Sequence, residues 1–203
     1  IMLNETGERV LPEPEPLLEK VHAAHRAGRQ VAFHAIEEGG IAAAMDAVEG
    51  ALRRSVEETR DVAAAGLRLH DHRHRIEHCG VCPPELVKRM RALGMVVVTQ
   101  PGFIAEHGER YLAEVPRGRQ RWLYPVASLK SAGVRLAFGS DCPVAPPDPM
   151  VGIGAAVTRR ASNGALVGRE EAVSARDALA LYTAGGAHAG SDEHDRGVIA
   201  PGR

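Results

Sequence analysis

Met95-Val96-Val97-Val98-Thr99 is the stretch that decides the fold class. A β-branched run with no polar alternation has no side to turn to water. It belongs in a strand covered on both faces, as in a parallel sheet flanked by helices. The same grammar repeats on either side. Upstream, Pro83 and Pro84 suit the first turn of a helix, which buries Leu86, Val87, Met90 and Leu93 and stops at Gly94. Before it, Arg73 to His78 is a strand, and residues 53–72 are a helix end and a charged surface loop. Ile41, Ala44, Met45, Val48 and Leu52 recur at offsets of three and four, one face of a helix. Gln30 to His34 is a short apolar strand. Leu17, Leu18, Val21 and Ala24 mark a further helix with Gly28 as its C′ residue, and residues 1–3 read as the tail of a strand.

Downstream of Thr99, a long loop is expected from Gln100 to Gly118. Trp122, Val126 and Leu129 mark a helix ended by Gly133, and Val134 to Phe138 is the last strand. A proline-rich loop follows, then a helix from Met150 to Arg160. Ser174 with Asp177 opens a final helix through Tyr182. Alternating short strands and amphipathic helices define an α/β chain with a parallel sheet. A doubly wound sheet and a (β/α)8 barrel both satisfy this order. No G-x-G-x-x-G or G-x-x-x-x-G-K-[ST] follows any strand, so a nucleotide-binding sheet has no support.

Bulk properties exclude several classes. The chain has 203 residues, 44% hydrophobic and 25% charged, with a formal net charge of −1. Nothing in that balance attracts nucleic acid or an anionic membrane. No apolar run approaches the ~20 residues of a bilayer span. The start, Ile1-Met2-Leu3, lacks a signal peptide's basic and apolar regions, and a chain beginning on Ile reads as cut from something longer. Its three cysteines, Cys79, Cys82 and Cys142, fit a reducing cytoplasm better than a disulfide framework. Cys79-Gly80-Val81-Cys82 is formally a C-x-x-C before a helix. Without a second pair it is no zinc ribbon, and reduced loop thiols are the simpler reading beside a thioredoxin-like one.

Chemistry in parallel α/β folds gathers at the C-terminal ends of strands. His34, His78 and Asp141 all fall there, after Val31-Ala32-Phe33, Arg75-Ile76-Glu77 and Leu136-Ala137-Phe138-Gly139-Ser140. Imidazole and carboxylate are good ligands for a divalent metal, and a carboxylate beside it can carry a proton. Each residue also has a plainer reading, the histidines as hydrogen-bonded structural groups and Asp141 as a turn cap after Ser140. Their coincidence at successive strand ends favours the metal. His22, His25, His70, His72, His74, His107, His188 and His194 read as surface or structural, with His107, His188 and His194 in loops or the tail.

The strings Phe33-His34-Ala35, His74-Arg75-Ile76-Glu77-His78-Cys79, Thr99-Gln100-Pro101 and Gly139-Ser140-Asp141-Cys142-Pro143-Val144 together resemble the metal-dependent amidohydrolase superfamily, amidohydrolase-3 type. This branch includes formamide deformylase-like and N-acyl amino acid hydrolase-like enzymes. The resemblance implies a TIM-type (β/α)8 barrel with a small β-domain, hydrolysing C–N bonds of small-molecule amides with one or two divalent metals, zinc foremost. It implies His34, His78 and Asp141 as metal ligands from strands five, six and eight. Asp141 is also the general acid/base, and Gln100 lines the substrate pocket. The family's H-x-H strand is absent, and its strand-four ligand would fall at or before Ile1. The resemblance therefore makes residues 1–190 the C-terminal half of a barrel, strands five to eight with a remnant of strand four. Residues 191–203 become a tail toward a missing β-domain. The alternative expectation is a non-catalytic half-barrel that self-associates through open sheet edges and binds metal weakly or not at all. A flavodoxin-like binding module explains less, because it gives no reason for the strand-end residues. Arg110, Arg117, Arg119 and Arg121 either grip a substrate carboxylate or form a solvated surface.

Overall fold

The computed structural model describes residues 12–58 and 71–201. The expected strand at residues 1–3 and most of the loop before His72 lie outside them. Four parallel strands, β1 (Ala32–Ala35), β2 (Arg75–His78), β3 (Val96–Thr99) and β4 (Arg135–Phe138), form one sheet in the order β1-β2-β3-β4. Helices α1 (Pro14–Arg26), α2 (Glu38–Glu58), α3 (Pro84–Ala92), α4 (Gly102–Glu114), α5 (Arg117–Gln120), α6 (Val126–Ser131), α7 (Pro149–Thr158), α8 (Ala175–Ala180) and α9 (Gly186–Gly190) surround it. Each neighbouring strand pair is joined by a crossover containing helix, which parallel pairing requires.

The two faces of the sheet differ. Phe33, Ala35, Ile76, Val97, Leu136 and Phe138 point into the main core, against α2 residues such as Ile41, Met45 and Val48 and against Met90 and Leu129. The opposite face carries Val96, Val98 and Ala137 under Ala189 of α9. It also holds the Arg75–Glu77 ion pair, with Nε to Oε1 at 2.6 Å. The valine run of β3 is thus covered on both sides, as its composition demands. α1 lies on α2 at Gly50, where a Cβ would stand 2.8 Å from Leu18 Cδ1.

Several expectations are corrected. The loop expected from Gln100 to Gly118 is mostly α4 and α5, and His107 lies in α4 rather than in a loop. Phe103, His107 and Tyr111 recur every four residues, and Phe103 and Ile104 bury against Leu123, Ala155 and Val167 in a second core. The helix expected from Trp122 begins only at Val126, after a turn in which Tyr124 takes a positive φ of 46°. His188, placed in a loop or tail by the sequence, lies in α9. The Ser174 cap holds, its Oγ accepting from Asp177 N at 3.1 Å, but α8 ends at Ala180 and passes into a π-helical turn, Leu181–Gly185. There Gly185 approaches the β4 backbone so closely that a Cβ would stand 2.5 Å from Leu136 O.

A separate histidine cluster closes the opposite end of the sheet. His74 Nδ1 accepts from Val31 N at 3.1 Å, which leaves Nε2 as the donor to His25 Nδ1, also at 3.1 Å. His72 Nδ1 accepts from His74 N at 2.9 Å, and its Nε2 donates to Leu93 O at 2.8 Å. The cluster joins α1, the entry to β1 and β2, and the end of α3. Burial, then His72 and His25, lower the His74 pKa to about 3. His22 and His25 are buried in α1, so theirs is a structural role rather than a surface one.

Candidate active site

β1 and β2 end side by side and deliver the first two candidate residues. His34 pairs in register with Glu77, and Ala35 with His78. Strand alternation therefore places His34 and His78 on opposite faces. The backbone overrides it: His78 has φ 75° and Cys79 φ 55°, a left-handed pair of non-glycine residues that costs strain. The His78 ring turns back to His34, with Nε2 and Nδ1 2.9 Å apart and ring centroids at 4.4 Å. Thr99 at the end of β3 secures this bend, its Oγ1 donating to His78 O at 2.8 Å.

The two nitrogens stand at hydrogen-bond distance, a few tenths of an ångström closer than two nitrogens sharing one zinc. At Zn–N distances of about 2.0–2.1 Å, tetrahedral ligand nitrogens stand roughly 3.3 Å apart. His78 is buried, and that burial, followed by the His34 ring, lowers its pKa, so it is a neutral imidazole of the kind a metal takes. His78 Nδ1 and Gln100 Oε1 are both buried without a fully formed hydrogen bond. The Gln100 amide nonetheless lies close enough to raise the His78 proton affinity. Gln100 is buried, 3% exposed. Its place is against His78.

Asp141 lies past the end of β4, exposed, with φ 61°. Its carbonyl accepts from Val144 N at 2.8 Å, while Ser140 Oγ accepts from Cys142 N at 3.2 Å, so Ser140 rather than Asp141 makes the side-chain turn bond. Asp141 is near enough to His78 and Tyr124 to act on both electrostatically. Among the described residues no three His, Cys, Asp or Glu side chains converge as a metal site. The donor set present, two imidazoles with a carboxylate nearby, fits a divalent metal but is incomplete in that region. Cys79 and Cys82 are buried free thiols. The Cys82 thiol and burial hold the Cys79 pKa well above its usual value, which suits reduced structural thiols.

Sequence reasoning missed the aromatic surround. Phe103 stacks on His78 with centroids at 6.1 Å, and Tyr124 meets Phe103 edge-on at 6.3 Å. The four-residue spacing from Phe103 to Tyr111 was the available signal. Nothing local marks Tyr124. Its carbonyl is held by Arg159, a fully buried residue whose Nη1 donates to Tyr124 O at 3.0 Å and Nη2 to Leu123 O at 2.7 Å.

His78 and Asp141, both with positive φ, stand with His34 at the C-terminal ends of parallel strands in an α/β chain, and the two imidazoles meet there. A family model described as the amidohydrolase family (amidohydrolase 3) matches residues 1–203, and the chain belongs to that family. It is 30% identical over 193 residues to the putative amidohydrolase YtcJ of Bacillus subtilis, covering 94% of this chain and 34% of that protein. It is 31% identical over 183 residues to the N-substituted formamide deformylase of Arthrobacter pascens, covering 89% and 31%. The fold matches an uncharacterized metal-dependent hydrolase from Pyrococcus furiosus with a TM-score of 0.76 and 29% identity, over 98% of this chain and 37% of that one. The chain spans about a third of the length of the curated relatives it matches. Among the described residues no helix is long and apolar enough to cross a membrane.

Proposed function

We propose that this chain supplies the later-strand half of a metal-dependent hydrolase site that opens a C–N bond of amide or formamide type. The observation that carries the reading is the convergence of His34 Nδ1 and His78 Nε2 at the strand ends. These two residues would hold a divalent metal, zinc foremost, with Asp141 as the third ligand. A metal held there would supply polarisation of the amide carbonyl and activation of water. Asp141, on its exposed turn, would accept a proton from water and return it to the departing nitrogen. Phe103 covers one face of the His78 ring, and Gln100 orients it. The sheet corresponds in this reading to strands five to eight of a (β/α)8 barrel, in a cytoplasmic enzyme whose partners are small amides.

Hydrolysis of N-formyl and N-acyl amines, with and without added divalent metal, tests the proposal. Asp141→Asn is expected to lower the rate about 10²–10⁴-fold. Absence of any metal-dependent hydrolysis would overturn it. One observation favours the second reading, a half-barrel that self-associates: β1 and β4 each have a strand partner on one side only in the described sheet. A concentration-dependent dimer with no bound metal would support that reading instead.

A further inference from the structure

A cavity of about 430 Å³ opens beside the histidine pair. It begins two residues beyond each histidine, at Ile36 after β1 and Gly80 after β2, and Tyr124 lines it too. Gly80 lets the chain pass close to Ile36 and Tyr124, because a Cβ there would stand 2.9 Å from Ile36 Cγ2 and 3.6 Å from Tyr124 Cζ. Tyr124 is edge-on to Phe103, which stacks on His78, so the cavity and the histidine pair share one aromatic wall.

Its walls are largely apolar, with three glutamates and two arginines among the lining residues. Tyr111 and Tyr124 meet hydroxyl to hydroxyl at 3.1 Å among aliphatic walls. Of the arginines, Arg110 and Arg119 line the cavity, but their charge is already answered. Arg119 Nε stands 3.3 Å from Glu38 Oε1, and Arg110 Nε 3.7 Å from Glu114 Oε2. Glu37 also lines the cavity and has no cation at ion-pair distance among the described residues. Glu38 Oε1 is buried and accepts no hydrogen bond even with Arg119 beside it. An entering carboxylate would meet a carboxylate excess. An entering ammonium would give Glu38 Oε1 a donor, face Glu37, and lie against tyrosine rings.

We propose that this cavity is a subsite for a compact apolar or aromatic group ending in a primary ammonium. As a statement about substrate, that the amide carries such a group on one side of the scissile bond, it rests on the hydrolase reading above. As a statement about binding it does not. The test is calorimetric titration of the 203-residue chain with 2-phenylethylammonium and, separately, with phenylacetate. The ammonium binds at least about tenfold more tightly than the carboxylate. Glu37→Gln weakens the ammonium several-fold, and His34→Ala/His78→Ala leaves it bound. Equal or tighter binding of phenylacetate, no saturable ammonium binding, indifference to Glu37→Gln, or loss of binding in the double variant would each overturn the subsite. Ammonium binding without amide hydrolysis would retain the subsite and remove the hydrolase reading. Hydrolysis with a carboxylate preference would do the reverse.

Discussion

His78 Nε2 lies 2.9 Å from His34 Nδ1, although strand alternation sends their side chains to opposite faces of the sheet. The left-handed backbone at His78 and Cys79 makes the meeting possible. Strain of this kind persists where the surroundings over-determine it, and such places concentrate at functional sites. Thr99 below and Phe103 above supply that determination here.

Gln100 sits against His78, and its removal should loosen the His78 ring without unfolding the sheet. Gln100→Leu is expected to weaken metal binding about 10–100-fold, read by competition with a chromophoric chelator. Unchanged affinity in a folded variant would show that Gln100 does not orient His78.

Arg159 organises the turn that carries Tyr124. Its guanidinium donates to the carbonyls of Val167, Gly168, Tyr124 and Leu123, and burial lowers its pKa only to about 10, so it stays charged at neutral pH. Arg159→Met strands those carbonyls and should cost about 3–5 kcal/mol in urea unfolding. Arg159→Lys should recover only part, since an ammonium cannot span four acceptors arranged for a planar fork. A loss below about 1 kcal/mol for Arg159→Met would contradict this role.

The histidine cluster at the far end of the sheet makes the fold acid-sensitive. His74 falls from 6.5 to about 3 on folding, so the folded state binds this proton more weakly than the unfolded chain does. The stabilisation is fully present above pH 6.5 and drains away as pH falls toward 3. The effect is on the order of a few kcal/mol, visible as a lower urea midpoint at about pH 5 than near neutrality. His74→Gln should be less stable near neutrality and should flatten the slope. A variant with the wild-type slope would place the acid sensitivity elsewhere.

Much of this was legible in the chain. Val96-Val97-Val98 fixed β3 as a doubly covered strand, and the strand-end positions of His34 and His78 followed from their place in successive β/α units. α4 was missed because its glycines, charges and leading Pro101 resemble a loop and outweigh the four-residue spacing of Phe103, His107 and Tyr111, a face that buries Phe103 and Ile104 against Val167. Arg159 and Tyr124 were hidden for a different reason. Their roles depend on contacts between segments about 35 residues apart, and no local pattern encodes a buried guanidinium.

The most direct test is metal content per chain, on protein purified without chelator, for the wild type and for His34→Ala/His78→Ala. The account predicts near-stoichiometric divalent metal in the wild type and its loss in the variant. Metal-free wild-type protein, or equal metal in both, would contradict the claim that His34 and His78 form the ligand pair.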